Sequence, residues 1–309
     1  MHVGNHPVNA RSRRREKFLL VLAQAVSRGF RAEVGVPENH TMHFGDTNFC
    51  ADTLSLGDDE VHVWRVDLSA AAATQTQWEQ FLSPDERERT ARFHFEKDRL
   101  HFSAARSWLR IVLGRYLESA PGSLRFRYAE KGKPSLDSSQ EANRLTFNIS
   151  HSGGLALFAF TRGRELGIDV EGIRRDFDTE AIARRFFSAA EQARLSDLPA
   201  DQRPEAFFRC WTRKEAYIKA RGEGLSLPLH QFDVSIGIGD QNALLATRPD
   251  PGEARLWSLS DLEGGQGFAA AIAVAGSGWK THPPPDQMGS HFCAMICTLR
   301  PRAAEKSKH

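Results

Sequence analysis

Cysteine is scarce in this sequence, and its scarcity excludes a fold held together by disulfides. The 309 residues contain four cysteines, Cys50, Cys210, Cys293 and Cys297. Because a secreted disulfide framework needs more numerous and more regularly spaced cysteines, the composition favours a reducing compartment, the cytoplasm. A metal site at Cys293, Cys297 and the nearby His291 is an alternative, although one C-x3-C spacing without a second pair of ligands is a weak signal.

Long hydrophobic runs are also missing. The longest spans residues 268–275, far short of the roughly 20 residues that a transmembrane helix needs, so we expect no membrane-spanning segment. Arginines at 13–15 precede an apolar stretch at 18–23 and an A-x-A at 23–25, which imitates an export signal. The stretch has few strongly apolar residues and ends in Gln24, which favours a basic extension over a signal peptide.

A large net charge is the third absence. Lys and Arg number 41 against 39 Asp and Glu, a formal charge of +2, which argues against a general nucleic-acid binder. The balance conceals a basic segment, since residues 87–133 hold 12 Lys and Arg against 5 Asp and Glu. The hydrophobic fraction of 40% is typical of globular proteins, and the length suits about two domains.

Alternating helix and strand patterns predict an α+β fold with α/β-type halves. Order is expected from Val61, where a strand pattern begins. Capping boxes at Ser83 and Ser188 predict helix starts, the first opening a long helix to about residue 118. Residues 1–58 and the tail 281–309 lack such periodicity, and we expect both to be poorly ordered. Further helices are expected at 181–187 and 204–221, and strands at 124–128, 145–149, 155–160, 166–170, 232–236, 256–259 and 268–274.

Two acidic residues stand out on a predicted strand. In GIDVEG at residues 167–172, Asp169 and Glu171 are two apart and therefore point to one face. Neighbouring carboxylates repel each other unless a cation lies between them, and oxygen ligands suit Mg²⁺. The alternative is an exposed strand end whose alternate residues face water.

Glu215 and Lys219 lie four residues apart on a predicted helix and share one face. One interpretation is an ordinary surface ion pair. Phe207, Phe208 and Trp211 make much of the helix apolar, however, and a buried charge needs a partner, a metal or a phosphate. Glu215 is thus a candidate third Mg²⁺ ligand, and Lys219 is a candidate phosphate contact.

Two further segments offer groups that bind anions. KGKP at 131–134 is a turn with two ammonium groups, and its glycine allows a close backbone approach. In FNISHSGG at 147–154 an apolar strand runs into small and polar residues, where Ser150 and His151 can hydrogen-bond a phosphate. The alternative for His151 is a packing or turn histidine.

Taken together in this order, the motifs give the sequence a resemblance to the 4′-phosphopantetheinyl transferases of the surfactin-synthetase-activating type. The resemblance rests on KGKP, FNISHSGG, GIDVE at 167–171 and WTRKEAYIKARGEGLSLPL at 211–229. LSPDERERTARF at 82–93 and RRFFSAAE at 184–191 fit the same pattern. The last long block is the most specific part.

The resemblance implies transfer of the phosphopantetheine arm of coenzyme A to a serine of an apo acyl or peptidyl carrier protein, releasing adenosine 3′,5′-bisphosphate. It implies a monomer built as a pseudo-dimer of two similar lobes, residues 59–162 and 163–280, with the active site in the cleft between them. The expected partner is a carrier protein whose acidic helix bears the acceptor serine, with broad use in secondary metabolism. Neither nucleic acid nor a membrane is an expected partner.

The resemblance also assigns roles to single residues. Asp169, Glu171 and Glu215 match the Mg²⁺ ligands, and Glu215, Lys219 and His151 are the expected catalytic residues. Glu215 is the first candidate for the general base. The residues expected to contact coenzyme A are Arg89, Arg106, Lys131, Gly132, Lys133, Pro134, Ser150, His151 and Lys219.

Some of these assignments have alternatives. Arg87 or Arg110 could replace Arg89 or Arg106 at the 3′-phosphate. Glu191 matches an acidic residue considered as a base, but its capping box explains it equally well.

Two rival functions use the same residues. A Mg²⁺-dependent hydrolase of coenzyme A or a nucleotide pyrophosphate would direct water to the phosphorus. A non-catalytic module would hold coenzyme A or a carrier domain, but it has no need of the complete set of Asp169, Glu171, Glu215 and Lys219.

Overall fold

Helices and strands contribute similar numbers of residues to the computed structural model, which describes residues 53–68, 78–238, 240, 243–248 and 250–282. This mixture confirms the α+β class. The α-helices in these ranges are α1 (Pro84–Ala91), α2 (Glu96–Leu117), α3 (Thr179–Phe186), α4 (Ala189–Asp197) and α5 (Arg203–Arg221). The strands are β1 (Glu60–Asp67), β2 (Phe126–Tyr128), β3 (Pro134–Leu136), β4 (Leu145–Ser152), β5 (Leu155–Arg162), β6 (Leu166–Gly172), β7 (Phe232–Val234), β8 (Leu244–Thr247), β9 (Trp257–Leu262), β10 (Phe268–Ala275) and β11 (Lys280–His282).

The described residues form a four-stranded sheet and a three-stranded sheet. One has the order β11-β1-β5-β4, and the other has the order β6-β10-β9. Neighbours within them are antiparallel except β1 and β11, which run parallel and pair Glu60 with Lys280. The hairpins β2-β3 and β7-β8 are separate.

Side chains, not backbone pairing, join the facing strands β4 and β6 of the two sheets. The backbone amides of Ile168 and Val170 donate to Asn148 Oδ1 at 3.0 Å and Ser150 Oγ at 3.4 Å. Farther along, the amide of Gly172 donates to Ser152 Oγ at 3.2 Å. The constant offset of the partners means that the two strands run side by side in the same direction. We call this row the polar seam.

Each sheet packs on one long helix. Trp108 and Leu109 of α2 are buried together with Trp64 and Phe158 of the four-stranded sheet. Phe207, Phe208 and Trp211 of α5 lie in another cluster with Leu259 of the three-stranded sheet. A third cluster, which includes Leu157 and Ile168, spans β5 and β6. Burial of such side chains contributes about 1.5–3 kcal/mol each, so the apolar pattern explains where the helices lie.

The prediction of one continuous helix from Ser83 to about residue 118 is wrong. The stretch expected to run unbroken to residue 118 ends at Ala91 and restarts at Glu96. Arg92 and Phe93 amides bond back to Arg89 and Thr90 carbonyls, three residues earlier, and Phe95 is extended. The reversal brings α1 back along α2, where Glu86 meets two arginines of α2, described below.

The edges of the described ranges also differ from expectation. Leu54 and Leu56, in the segment expected to be poorly ordered, are buried in the first core. Thr281 and His282, in the expected loose tail, pair with Val61 and His62. The remaining residues of both segments, including Cys50, Cys293, Cys297 and His291, lie outside the described residues. Strands β3, β8 and β11 carry too short an apolar pattern to be recognised.

Both capping boxes are confirmed. Ser83 and Glu86 begin α1, and Ser188 and Glu191 begin α4. Cys210 is buried and free. In the described part of the chain, no helix is both long and apolar enough to cross a bilayer.

Candidate active site

A lysine, an aspartate and a serine from three elements meet where β4, β6 and α5 come together. Lys219 Nζ of α5 donates to Asp169 Oδ1 of β6 at 2.6 Å and to Ser150 Oγ of β4 at 3.0 Å. The Ser150 hydroxyl donates to the same aspartate oxygen at 2.8 Å. These residues, predicted separately from three motifs, therefore form one cluster.

Glu215 lies one turn before Lys219 on α5 and adds a second carboxylate to this cluster. Burial, and then the nearby charge of Asp169, raise the pKa of Glu215 to about 7. Burial works against the charge of Lys219, but Asp169 and Glu215 outweigh it and raise the pKa of the ammonium. The cluster thus holds Lys219, which stays protonated at neutral pH, and Glu215, whose carboxyl group can exchange a proton near neutral pH.

Two buried oxygens in the cluster have unused acceptor capacity. Asp169 Oδ2 and Glu215 Oε1 accept no hydrogen bond from the described residues. Glu171, two residues along β6, is buried, and its Oε2 accepts from Ser152 Oγ at 2.8 Å. Within the described ranges, no group of three or more His, Cys, Asp or Glu is close enough to hold a metal as it stands.

His151 lies on β4 between Ser150 and Ser152 and is exposed. Its ring still lies among many protein atoms, and this desolvation, together with the charge of Lys219, lowers the pKa of His151. His101 of α2 lies near it, and burial, Lys97 and His151 lower the pKa of His101 to about 4. No sequence motif pointed to His101.

The KGKP turn joins β2 to β3 and contacts the end of α5. Gly132 adopts φ +84°, which requires glycine or a strained residue. Lys133 Nζ donates to the carbonyl of Ala220 at 3.1 Å and to Glu165 Oε2 at 3.0 Å. A cation at a helix C-terminus is favourable, so Lys133 fixes this turn beside the helix that carries Lys219.

The candidate cations of the basic segment lie in different environments. Arg106 and Arg110 of α2 are buried and donate to the two oxygens of Glu86, each at 2.6 Å. Arg106 also donates to the hydroxyl of Tyr128, and Arg110 to two backbone carbonyls. Arg89 is exposed and stacks over Phe102, with its guanidinium carbon 5.0 Å from the ring centre.

Arg87, the other alternative, is exposed. Its guanidinium donates to the carbonyl of Leu82 at 2.8 and 3.1 Å.

Both carboxylate oxygens of Glu191 have hydrogen-bond partners within the protein. Its Oε2 accepts from the Ser188 amide at 2.8 Å, and its Oε1 accepts from the Val234 amide and from Lys214 Nζ, both at 2.8 Å. Glu191 is 1% exposed and Lys214 is 0% exposed. Its capping and packing contacts therefore explain this residue without a role in proton transfer.

The sequence motifs did not reveal the contacts of Asn148 and Ser152, and they identified Glu86 only as a capping residue. Polar residues at 148, 150 and 152 alternate with apolar Phe147 and Ile149 on β4, and this alternation could have predicted a polar face turned towards the acidic strand. No local pattern marks Glu86 as the partner of arginines 20 and 24 residues later.

Comparison with known proteins gives two adjoining matches to family models. Residues 165–273 match the model of the 4′-phosphopantetheinyl transferase superfamily. Residues 70–162 match the model of the N-terminal part of a 4′-phosphopantetheinyl transferase. The site cluster draws on both matched segments, since Ser150 lies in the second and the three charged residues lie in the first.

Three curated relatives are similar to this chain. The 4′-phosphopantetheinyl transferase HetI of Nostoc sp. is 40% identical over 227 residues, 74% of this chain and 92% of HetI. The 4′-phosphopantetheinyl transferase Sfp of Bacillus subtilis is 36% identical over 156 residues, 50% of this chain and 67% of Sfp. The 4′-phosphopantetheinyl transferase AcpT of Salmonella typhimurium is 37% identical over 118 residues, 38% of this chain and 58% of AcpT.

Proposed function

This chain belongs to the 4′-phosphopantetheinyl transferase superfamily, and we propose that it transfers the phosphopantetheine arm of coenzyme A to a serine of an apo carrier protein. Its enzyme class is therefore a transferase. The observation that carries the proposal is the cluster of Lys219, Asp169, Ser150 and Glu215, in which one cation and two carboxylates meet at the junction of two sheets. Such a set suits a reaction at a pyrophosphate.

Mg²⁺ is the cofactor that we propose, held by Asp169, Glu171 and Glu215. The unpartnered buried oxygens Asp169 Oδ2 and Glu215 Oε1 support it, because a buried carboxylate oxygen without a hydrogen bond is costly unless a cation satisfies it. When bound, Mg²⁺ would offset the charge of the pyrophosphate and of the leaving group.

The remaining chemistry is done by side chains of this protein. Lys219 donates to a pyrophosphate oxygen, and His151 hydrogen-bonds a phosphate at the end of β4. Ser150 contacts a phosphate when its single hydroxyl proton turns from Asp169 Oδ1 to the phosphate oxygen. The carboxylate of Glu215 is the base that takes the proton of the acceptor serine. A bond forms between the serine oxygen and the phosphorus nearest the pantetheine arm, and the bridging phosphorus–oxygen bond breaks. Its electron pair leaves with adenosine 3′,5′-bisphosphate.

The nucleotide end of coenzyme A would lie along the basic segment. The turn from Lys131 to Pro134 contacts the end of α5 next to Lys219, which supports its proposed place beside the adenine. For the 3′-phosphate we favour exposed Arg89 and His151 over Arg106, since the guanidinium of Arg106 is already paired with Glu86.

We also propose the architecture and setting that the resemblance implies. Two helix-on-sheet cores meeting along the polar seam support two lobes at about residues 59–162 and 163–280, with the site in a cleft between them. The protein would act as a monomer in the cytoplasm, on a carrier with an acidic helix.

One mass-spectrometric assay tests the proposed function. The full chain is incubated with coenzyme A, Mg²⁺ and an apo carrier protein, and the carrier should gain the mass of one phosphopantetheine arm. Free phosphopantetheine without a modified carrier would identify a hydrolase. Absence of both products would identify a non-catalytic binding module. Lys219→Met should abolish the gain, whereas Arg194→Ala, at an exposed helix position, should leave it unchanged.

A further inference from the structure

The polar seam contains two kinds of contact. Asn148 Oδ1 accepts from the Ile168 amide, and no contact to an acidic side chain is among its described partners. Ser152 Oγ accepts from the Gly172 amide at 3.2 Å and also contacts Glu171 Oε2 at 2.8 Å. Both residues are buried, with 4% of Asn148 and 3% of Ser152 exposed. The seam therefore offers one position that supports only the backbone, Asn148, and two that support a carboxylate as well: Ser150 with Asp169 and Ser152 with Glu171.

The direction of the Ser152 hydroxyl follows from its partners. A hydroxyl has one proton to donate, and a backbone amide can only donate. The amide of Gly172 thus takes up acceptor capacity of Ser152 Oγ, and the single hydroxyl proton points to Glu171 Oε2. A hydrogen bond to a charged carboxylate is about twice as strong as a neutral one. This pair of contacts fixes the side chain of Glu171 relative to the strand that carries Asp169.

We propose that Ser152 is a positioning residue, which holds the carboxylate of Glu171 in the orientation that binds the divalent cation. The proposal rests on the proposed function, in which Glu171 is a ligand. Ser152 acts through Glu171 and does not itself contact the substrate. Loss of a partner that orients a metal ligand costs about 10–100-fold in affinity or activity, which sets the expected size of the effect.

The experiment compares Ser152→Ala with Asn148→Ala in the full chain. Mn²⁺ is titrated into each variant by calorimetry, first without and then with coenzyme A. The urea midpoint of each variant is also measured. Both variants should lose stability. Ser152→Ala should weaken Mn²⁺ binding at least about 10-fold, while Asn148→Ala should stay within about twofold, and Ser152→Thr should restore the affinity.

Further variants separate positioning from a general loss of structure. In the background of Glu171→Gln, Ser152→Ala should change Mn²⁺ affinity no further, because the carboxylate that it orients is gone. If Ser152→Ala does not fold, Ser152→Cys, which is slightly larger than serine and a weaker donor, takes its place.

Three results would overturn the proposal: equal effects at positions 148 and 152, no effect at 152, or no Mn²⁺ binding by the unmodified chain. Failure of the proposed function is a different result, namely absence of carrier modification while Mn²⁺ binding still depends on Ser152.

Discussion

Gly167 in β6 lies directly against the carbonyl of Ala216 in α5, so closely that a β-carbon at position 167 would be 2.2 Å from that oxygen. The same β-carbon would be 2.3 Å from the Ala220 nitrogen and 2.8 Å from the carbonyl carbon of Lys219. All three atoms belong to helix backbone, which cannot rotate out of the way. The absence of a side chain at Gly167 thus sets the distance between the acidic strand and the helix that carries Glu215 and Lys219.

Gly167→Ala should damage both stability and transfer. Overpacking costs about 1–3 kcal/mol, and moving Lys219 by about 1 Å could lower the turnover number about 100-fold. Urea unfolding and the carrier-modification rate measure the two effects. Gly122→Ala is the control, since a β-carbon there meets no atom within 4 Å. Equal stability of the two variants would show that the close approach is not tight in solution.

Glu215→Gln should abolish transfer, yet stabilise the protein in the presence of a chelator at high pH. The pKa of Glu215 is raised from 4.5 to about 7, so the folded state binds the proton more tightly than the unfolded state. Its contribution to stability is full below pH 4.5 and is lost as the pH rises through 7. Glutamine avoids that loss, worth about 1–3 kcal/mol at pH 8.

Urea unfolding in chelator at pH 5 and pH 8 tests this. The control is Glu205→Gln on the same helix, where 47% of the side chain is exposed. A pH-independent difference between Glu215→Gln and the unmodified chain would contradict the buried-carboxyl argument. Near-normal turnover of Glu215→Gln would instead remove Glu215 from the role of base.

Glu86→Gln should be strongly destabilising. It leaves Arg106 and Arg110 buried with an uncharged partner, and breaking a buried pair costs about 3–5 kcal/mol. Burial alone would raise the pKa of Glu86, but Arg106 and Arg110 hold it below 4.5. The ion pairs therefore contribute fully above pH 4.5 and are lost as the pH falls below that value.

The measurement is urea unfolding between pH 3 and pH 7. The unmodified chain should lose more stability on acidification than Glu86→Gln does. Glu88→Gln, on the exposed side of the same helix, should behave like the unmodified chain because exposed ion pairs contribute little.

Glu191→Gln should reduce stability but leave the turnover number of the folded enzyme unchanged. Lys214 would stay buried without its carboxylate, at a cost of about 3–5 kcal/mol. The double variant Glu191→Gln, Lys214→Met should recover part of the loss. Active-site titration at low temperature gives the turnover per folded molecule. A turnover that falls at least 100-fold in folded Glu191→Gln would identify Glu191 as the base after all.

Local sequence signals predicted the parts of this fold that depend on neighbouring residues. Capping boxes mark α1 and α4 because their hydrogen bonds join residues three apart. The apolar face of α5 and the alternation in β1 are equally local. The motifs also placed Asp169, Glu215 and Lys219 in the sequence, and the structure brings these three residues together.

Long-range relationships were beyond the same signals. The break between α1 and α2 accompanies the pairing of Glu86 with two arginines of α2, and no periodicity in residues 84–118 encodes that reversal. Asn148 and Ser152 have the composition of an ordinary exposed strand face, and their contact with β6 requires knowing that the two strands lie side by side. The resemblance assigned Arg106 to coenzyme A by its position, and no local signal showed that Glu86 pairs with this arginine.

The short strand β11 has a consequence for how the protein unfolds. β10 belongs to the three-stranded sheet, but β11, five residues later, pairs with β1 at the edge of the other sheet. The end of the described chain therefore returns to the half in which it began. Unfolding the three-stranded half pulls β11 away from β1, while unfolding the other half removes the partner of β11. Unfolding of either half therefore disrupts the pairing of β1 with β11, and we expect equilibrium unfolding to be a single cooperative transition.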